Sequence, residues 1–209
     1  MALYDGMLAA YGAQDWWPAD SGFEVAVGAV LTQNTNWTNV ERAIANLKNA
    51  NLLDLHSLLA LEHHQLAELI RPSGYYNIKA QRLRGLLEYL QQVGGLEHLD
   101  SMDMHVARDG LLSVKGVGPE TADDILLYAL DKPVFVIDTY TRRLLMRNRL
   151  AKGDESYEQL RLGFEAVLPA DVTLFKQFHA LIVQHAKRAC RKQPACQECC
   201  LASACPQLV

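Results

Sequence analysis

Apolar residues recur at i, i+3, i+4 and i+7 through most of the chain, the spacing of helices that bury one face. Val40, Ala43, Ile44 and Leu47 form such a stripe over 38–50, and Leu83, Leu86, Leu87 and Leu90 form another over 78–93. Met104, Ala107, Leu111 and Val114 keep the period behind a cap at Asp103, and Ala122, Ile125, Leu126 and Ala129 keep it after Pro119. Further helices are predicted over about 155–167 and 172–189, with one or two short ones in 52–70 and another before Trp16-Trp17-Pro18. The stretch 22–35, GFEVAVGAVLTQNT, is apolar on several sides and reads as a buried helix stopped by Gln33-Asn34-Thr35. Only Val134-Phe135-Val136-Ile137 has the β-branched, apolar run of a strand. The chain is therefore predicted to be all-α, with no repeat and no obvious linker.

Composition adds bounds. The 209 residues, 50% of them hydrophobic, are enough for one large core or two small ones. No apolar run reaches the length of a membrane span, and no basic region precedes the apolar residues of the N-terminus, so a globular protein in the cytoplasm, without a membrane partner, is the expectation. A net charge of −4 requires any nucleic-acid face to be local. The basic candidates are Lys79, Arg82 and Arg84, then Lys115, then Arg142, Arg143, Arg147 and Arg149, then Lys187, Arg188, Arg191 and Lys192; each cluster by itself also fits a solvated surface. His56, His63 and His64 lack the carboxylate or Cys company of a catalytic or metal site and read as structural or exposed.

Chemistry concentrates in two places. Over 111–143, Gly116-Val117-Gly118 is a tight turn, Pro119 is favourable as a first helical residue, and the amides of the helix that follows suit a phosphate. Helix, hairpin and helix are followed by the apolar run and by Asp138, which ends that run and reads as the N-cap of the next helix. On residue type alone a structural cap is the simpler reading of Asp138. The second place is the C-terminus, where all five Cys lie, at 190, 196, 199, 200 and 205. Metal ligation is the leading reading, by Cys190, Cys196, Cys199 and Cys205 in a C-x5-C-x2-C-x5-C array; four thiolates fit zinc or a [4Fe-4S] cluster, and spacing alone favours neither.

Residues 111–143, with the segments LTQNT and GYYNIKAQRL and the Cys array, resemble the endonuclease III superfamily of DNA glycosylases over about 22–205. The resemblance implies two all-α lobes, a helical barrel over 20–135 and a second lobe joining 1–19 to 136–209, with damaged double-stranded DNA and its extruded base between them. It makes Asp138 the catalytic carboxylate rather than a cap alone. It gives Gln33 the place of the extruded base and Tyr75 that of a wedge, and it places Lys115, Gly116, Gly118, Thr121 and Arg142 at the DNA. Relatives carry a similar Cys array around a [4Fe-4S] cluster, with one more residue in the first gap, so the cluster is the expected cofactor and zinc the alternative. A monomer is expected.

One departure changes the chemistry. Bifunctional members carry a lysine in the turn sequence G-V-G-x-K-T-A that forms a Schiff base with the sugar, and here that position is Glu120, which cannot. Lys115 lies before the turn, where the hairpin faces it elsewhere. A monofunctional glycosylase is expected, in which Asp138 activates water or stabilises the sugar cation and Glu120 supports a cationic base or the turn. LTQNT followed by Trp37 is similar to the 3-methyladenine glycosylases of the superfamily, and Trp37, Trp16 and Trp17 are candidates to stack on an alkylated purine, although core roles fit them as well. The alternatives are a glycosylase for mismatched, deaminated or oxidised bases and a non-catalytic DNA-binding protein.

Overall fold

Helix-stop signals in the sequence divide the chain into short elements, and the computed structural model, which describes residues 1–14 and 16–206, is helical with no strand among them. The helices are α1 (Ala2–Tyr11), α2 (Gly22–Leu31), α3 (Trp37–Asn49), α4 (Leu55–Ala60), α5 (His63–Leu69), α6 (Tyr76–Val93), α7 (Leu96–Ser101), α8 (Met104–Ser113), α9 (Pro119–Asp124), α10 (Thr139–Arg147), α11 (Tyr157–Val167) and α12 (Val172–Arg188). They fall into two compact units, Ala19–Lys132 and Met1–Pro18 with Pro133–Val209.

The unit of residues 19–132 is built around α2. Every residue from Glu24 to Leu31 is buried, which is why this helix shows no polar face in the sequence. Its one buried charge, Glu24, is paired with Lys48 of α3 at 2.7 Å. Gly22 lets the start of α2 approach the end of the hairpin's second helix, since a Cβ there would stand 2.8 Å from the Ala129 carbonyl oxygen. A Gly22→Ala change would push these helices apart. α8, the turn at 114–118 and α9 form the helix-hairpin-helix, in which Asp103 caps α8 through the amides of His105 and Val106. The helix after Pro119 is not uniform as its apolar period predicts. It is α-helical to Asp124 and then widens into a π turn, Ile125–Ala129, closed by the Leu130 amide on the Ile125 carbonyl at 3.2 Å. The buried Ile125, Leu126 and Leu127 occupy this wider turn.

The other unit has an aromatic core. Phe135 stacks on Phe164 at 3.9 Å between ring centroids and meets Phe175 and Phe178 edge-on at 5.4 and 5.8 Å, and Tyr4 of α1 reaches Phe178 at 5.3 Å. The strand expected at Val134–Ile137 does not form. The four residues are buried, yet their amides find side chains of α11 instead of a ladder: the Phe135 N–H donates to Glu165 at 3.0 Å and the Ile137 N–H to the Tyr157 hydroxyl at 3.3 Å. The segment runs straight into Asp138 and α10.

Candidate functional site

Asp138 is the N-cap of α10. Its backbone is extended (φ −92°, ψ −178°) and its Oδ1 accepts the Thr141 amide at 2.6 Å. The other oxygen, Oδ2, lies 3.7 Å from Nε2 of His179 on α12, and the two side chains are only 12% and 6% exposed. That distance is longer than a hydrogen bond and within the reach of an ion pair. Burial raises the carboxyl's pKa, but His179 and the Thr141 amide together outweigh it, and Asp138 is held below the ordinary carboxylate value. An ionised, nearly dry carboxylate stabilises an adjacent cation more strongly than a solvated one.

Three other expected residues belong to the same unit. Trp16 and Trp17 are half-buried, and the Lys187 ammonium sits 5.1 Å from the centre of the Trp16 ring. Arg142 donates to the Glu155 carbonyl at 2.9 Å, which ties it to the start of α11.

In the unit of residues 19–132, Gln33 is the junction. Its Nε2 donates to the Gly116 carbonyl and to the Thr121 hydroxyl, both at 3.0 Å, and its Oε1 accepts from Arg82. Gly116 has φ +96° and faces the aliphatic part of the Arg82 side chain so closely that no Cβ fits. Thr121 is therefore turned inward and buried, while Lys115 and Glu120 are exposed on the hairpin. Tyr75 stands at a tip with φ +46° and is 68% exposed. Trp37 opens α3, half-buried, and its indole N–H donates to Glu41 at 2.8 Å.

Several residues counted as basic surface are committed elsewhere. Lys79 is 1% exposed and belongs to the interior. Arg84 donates to the carbonyls of Leu59 and Leu61, Arg143 to that of Cys190, and Arg147 to those of Arg191 and Lys192. Guanidinium forks satisfy several carbonyls at once where helices end, which removes these cations from the free surface.

The C-terminal loop follows α12. Cys190, Cys196, Cys199 and Cys205 line one cavity together with His185, Leu144 and Leu201, whereas Cys200 is not on its wall. The Cys200 thiol faces the Tyr11 hydroxyl at 3.6 Å instead. Arg147 of α10 reaches the Cys190 sulfur at 3.3 Å, the kind of donor a thiolate accepts. His185, on α12, is 1% exposed, accepts or donates at Nδ1 to the Tyr11 hydroxyl at 2.9 Å, and is pushed by burial to a pKa of about 4. Among the described residues, no three His, Cys, Asp or Glu side chains are spaced to hold a single ion. The structure thus brings the four thiols to one cavity without grouping them around a single point.

Known proteins match this chain in sequence and fold. Residues 27–170 fit the family described as HhH-GPD superfamily base excision DNA repair protein. The chain belongs to the HhH-GPD superfamily. Similar to it is the “Putative DNA repair glycosylase” of Methanocaldococcus jannaschii, 46% identical over 200 residues that cover 94% of this chain and 91% of that protein. Among solved structures, the crystal structure of Helicobacter pylori 3-methyladenine DNA glycosylase (MagIII) bound to 1,N6-ethenoadenine overlays with a TM-score of 0.74 at 31% identity, covering 90% of this chain and 96% of that one. A non-covalent endonuclease III–DNA complex overlays with 0.84 at 22% identity over 99% and 93%, a likeness of fold. This HhH-GPD protein is an all-α DNA glycosylase of base excision repair.

Sequence reasoning missed His179, Arg82's grip on Gln33, and Glu41. A lone histidine in an amphipathic helix carries no local signal. Glu41 was within reach of pattern reading, since it stands four residues after Trp37 on one helix face.

Proposed function

We propose that this glycosylase acts as a monomer on double-stranded DNA and removes N-alkylated purines, 3-methyladenine above all, by hydrolysis without strand cleavage. The observation that carries the reading is Asp138, a nearly buried carboxylate held ionised by the Thr141 amide and His179. A purine alkylated on nitrogen is cationic and leaves easily once its nucleotide is extruded, so little acid catalysis is required. The C1′–N bond breaks and its electron pair leaves on the base. The oxygen of a water bonds to C1′, and the proton of that water passes to Asp138, which also faces the developing sugar cation.

Three further features support this reading. Glu120 stands where lyase relatives have their lysine, and a carboxylate forms no Schiff base. The Trp37 ring offers an electron-rich face to a cationic base, and Glu41 fixes its indole while adding negative charge beside it, whereas the Trp16 ring already meets the Lys187 ammonium. The MagIII structure, a 3-methyladenine DNA glycosylase bound to 1,N6-ethenoadenine, is 31% identical. Gln33, Tyr75, Lys115, Gly116 and Gly118 are assigned to the DNA face, with Thr121 acting beneath it through Gln33.

Cys190, Cys196, Cys199 and Cys205 would hold a [4Fe-4S] cluster, which supplies a structural clamp on the loop rather than a step of the reaction. Zinc held by the same four thiolates is the alternative, and the brown colour and iron content of the purified protein distinguish the two.

The test incubates purified protein with duplexes containing 3-methyladenine, uracil, a thymine mismatch or oxidised pyrimidine, and reads base release and strand cleavage separately. Release of alkylpurine with intact strands is expected. Strand nicking of oxidised pyrimidine through a borohydride-trapped Schiff base would overturn both substrate and mechanism and direct attention to Lys115.

A further inference from the structure

Lys79, in the first turn of α6, is one of the largest fully buried side chains of the protein. Its ammonium donates to the Leu31 carbonyl at 2.8 Å and to the Ser73 carbonyl at 2.7 Å. Burial, with the Arg82 charge close by, pushes its pKa down to about 8, a sign of what it costs to keep an ammonium there. A methionine would fill a similar volume without that cost, so packing alone does not explain a lysine.

Its two acceptors explain it better. Leu31 ends α2, where carbonyls lack intrahelical partners, and stands two residues before Gln33. Ser73 ends a 3₁₀ turn (Arg71–Ser73) and stands two residues before Tyr75, after Gly74 at φ +69°. One turn further along α6, Arg82 donates to the side-chain Oε1 of Gln33, whose Nε2 in turn donates to Gly116 and Thr121 of the hairpin. Two cations on one face of α6 therefore fasten the segments carrying Gln33, Tyr75 and the hairpin turn. All of these residues lie within one compact unit.

We propose that Lys79, assisted by Arg82, is a positioning residue that presets the spacing between Gln33 and Tyr75, so that both meet a lesion without first being ordered. This rests on the assignment of Gln33 and Tyr75 to the DNA at the lesion. Fixing both tips in advance removes an ordering cost that would otherwise be subtracted from lesion binding, and leaves contacts to undamaged DNA unaffected.

The experiment measures, by fluorescence anisotropy, the affinity of the full chain for a duplex with a tetrahydrofuran abasic-site analogue and for the same duplex undamaged. Lys79→Met should lower the ratio of the two affinities about tenfold, with the undamaged affinity changed less than about twofold. A folded Lys79→Met protein whose melting temperature falls but whose ratio is unchanged shows a merely structural lysine and overturns the proposal. If that variant does not fold, Arg82→Met, altered at a part-buried position, decides by the same ratio, because a lost phosphate contact would weaken both duplexes alike. The Gln33→Ala, Tyr75→Ala double variant separates the two levels. Loss of its ratio with Lys79→Met and Arg82→Met unaffected refutes the strut alone, whereas an unchanged ratio in the double variant refutes the DNA assignment itself.

Discussion

His179 Nε2 lies 3.7 Å from Asp138 Oδ2, and this contact between α12 and the cap of α10 leaves one carboxylate oxygen bound to the Thr141 amide and the other facing an imidazole. The two oxygens have different tasks. Oδ1 caps the helix, and Oδ2 faces the imidazole. His179→Phe should keep the cap and the fold yet slow single-turnover base release by roughly tenfold, with binding to an abasic-site duplex nearly unchanged. Equal loss of binding and rate would point to a packing role instead.

Asp138→Asn separates cap from chemistry. Asn caps helices about as well as Asp, so the melting temperature at neutral pH should shift little, by less than about 1 kcal/mol in stability. Base release should fall by roughly 10²- to 10⁴-fold, because the amide neither takes a proton from water nor stabilises a cation. Rate and melting measured on the same preparation check both halves.

The pH dependence follows from the depressed carboxyl. A group whose folded pKa lies below its unfolded value of 3.8 adds stability above that value and loses it as pH falls through the folded pKa. Asp138 should thus remain ionised through the mildly acidic range, and its carboxyl should place no acid limb on excision there. Below the ordinary carboxylate range, thermal melts of the wild type and Asp138→Asn should converge. A wild-type stability advantage that persists undiminished at the lowest pH would contradict the depressed value.

The cysteines divide four to one. Cys199→Ser should lose the brown colour, the visible absorbance and most of the iron, since this thiol is on the cavity wall, whereas Cys200→Ser should retain them. Colourless wild-type protein, prepared without oxygen and containing stoichiometric zinc, would falsify the cluster assignment.

Trp37→Ala should weaken excision of alkylated purine by about tenfold, the scale of a lost base–aromatic stack, with little change in stability because the ring is only half-buried. Glu41→Gln should give a smaller loss, because the amide oxygen still accepts the indole N–H but the charge is gone. Equal rates for all three proteins would remove Trp37 from the base pocket.

What the sequence determined is what neighbours along the chain decide among themselves. A carboxylate three residues before a free amide makes a cap, so Asp103 and Asp138 were legible. Glycines before a proline make a turn, so the hairpin was legible, and thiols separated by five, two and five residues read as a metal-ligating loop without deciding which metal. The tertiary structure decided which cations are surface and which are struts, because Lys79 is distinguished from Lys115 only by carbonyls brought to it from α2 and from the turn before Tyr75. It also decided that Val134–Ile137, with the composition of a strand, would pair with none: its amides met Glu165 and Tyr157 on α11 first. His179 owes its meaning to the same cause. A side chain acquires its chemistry from what packing brings within a few ångströms of it, and periodicity along the chain carries no record of the partner.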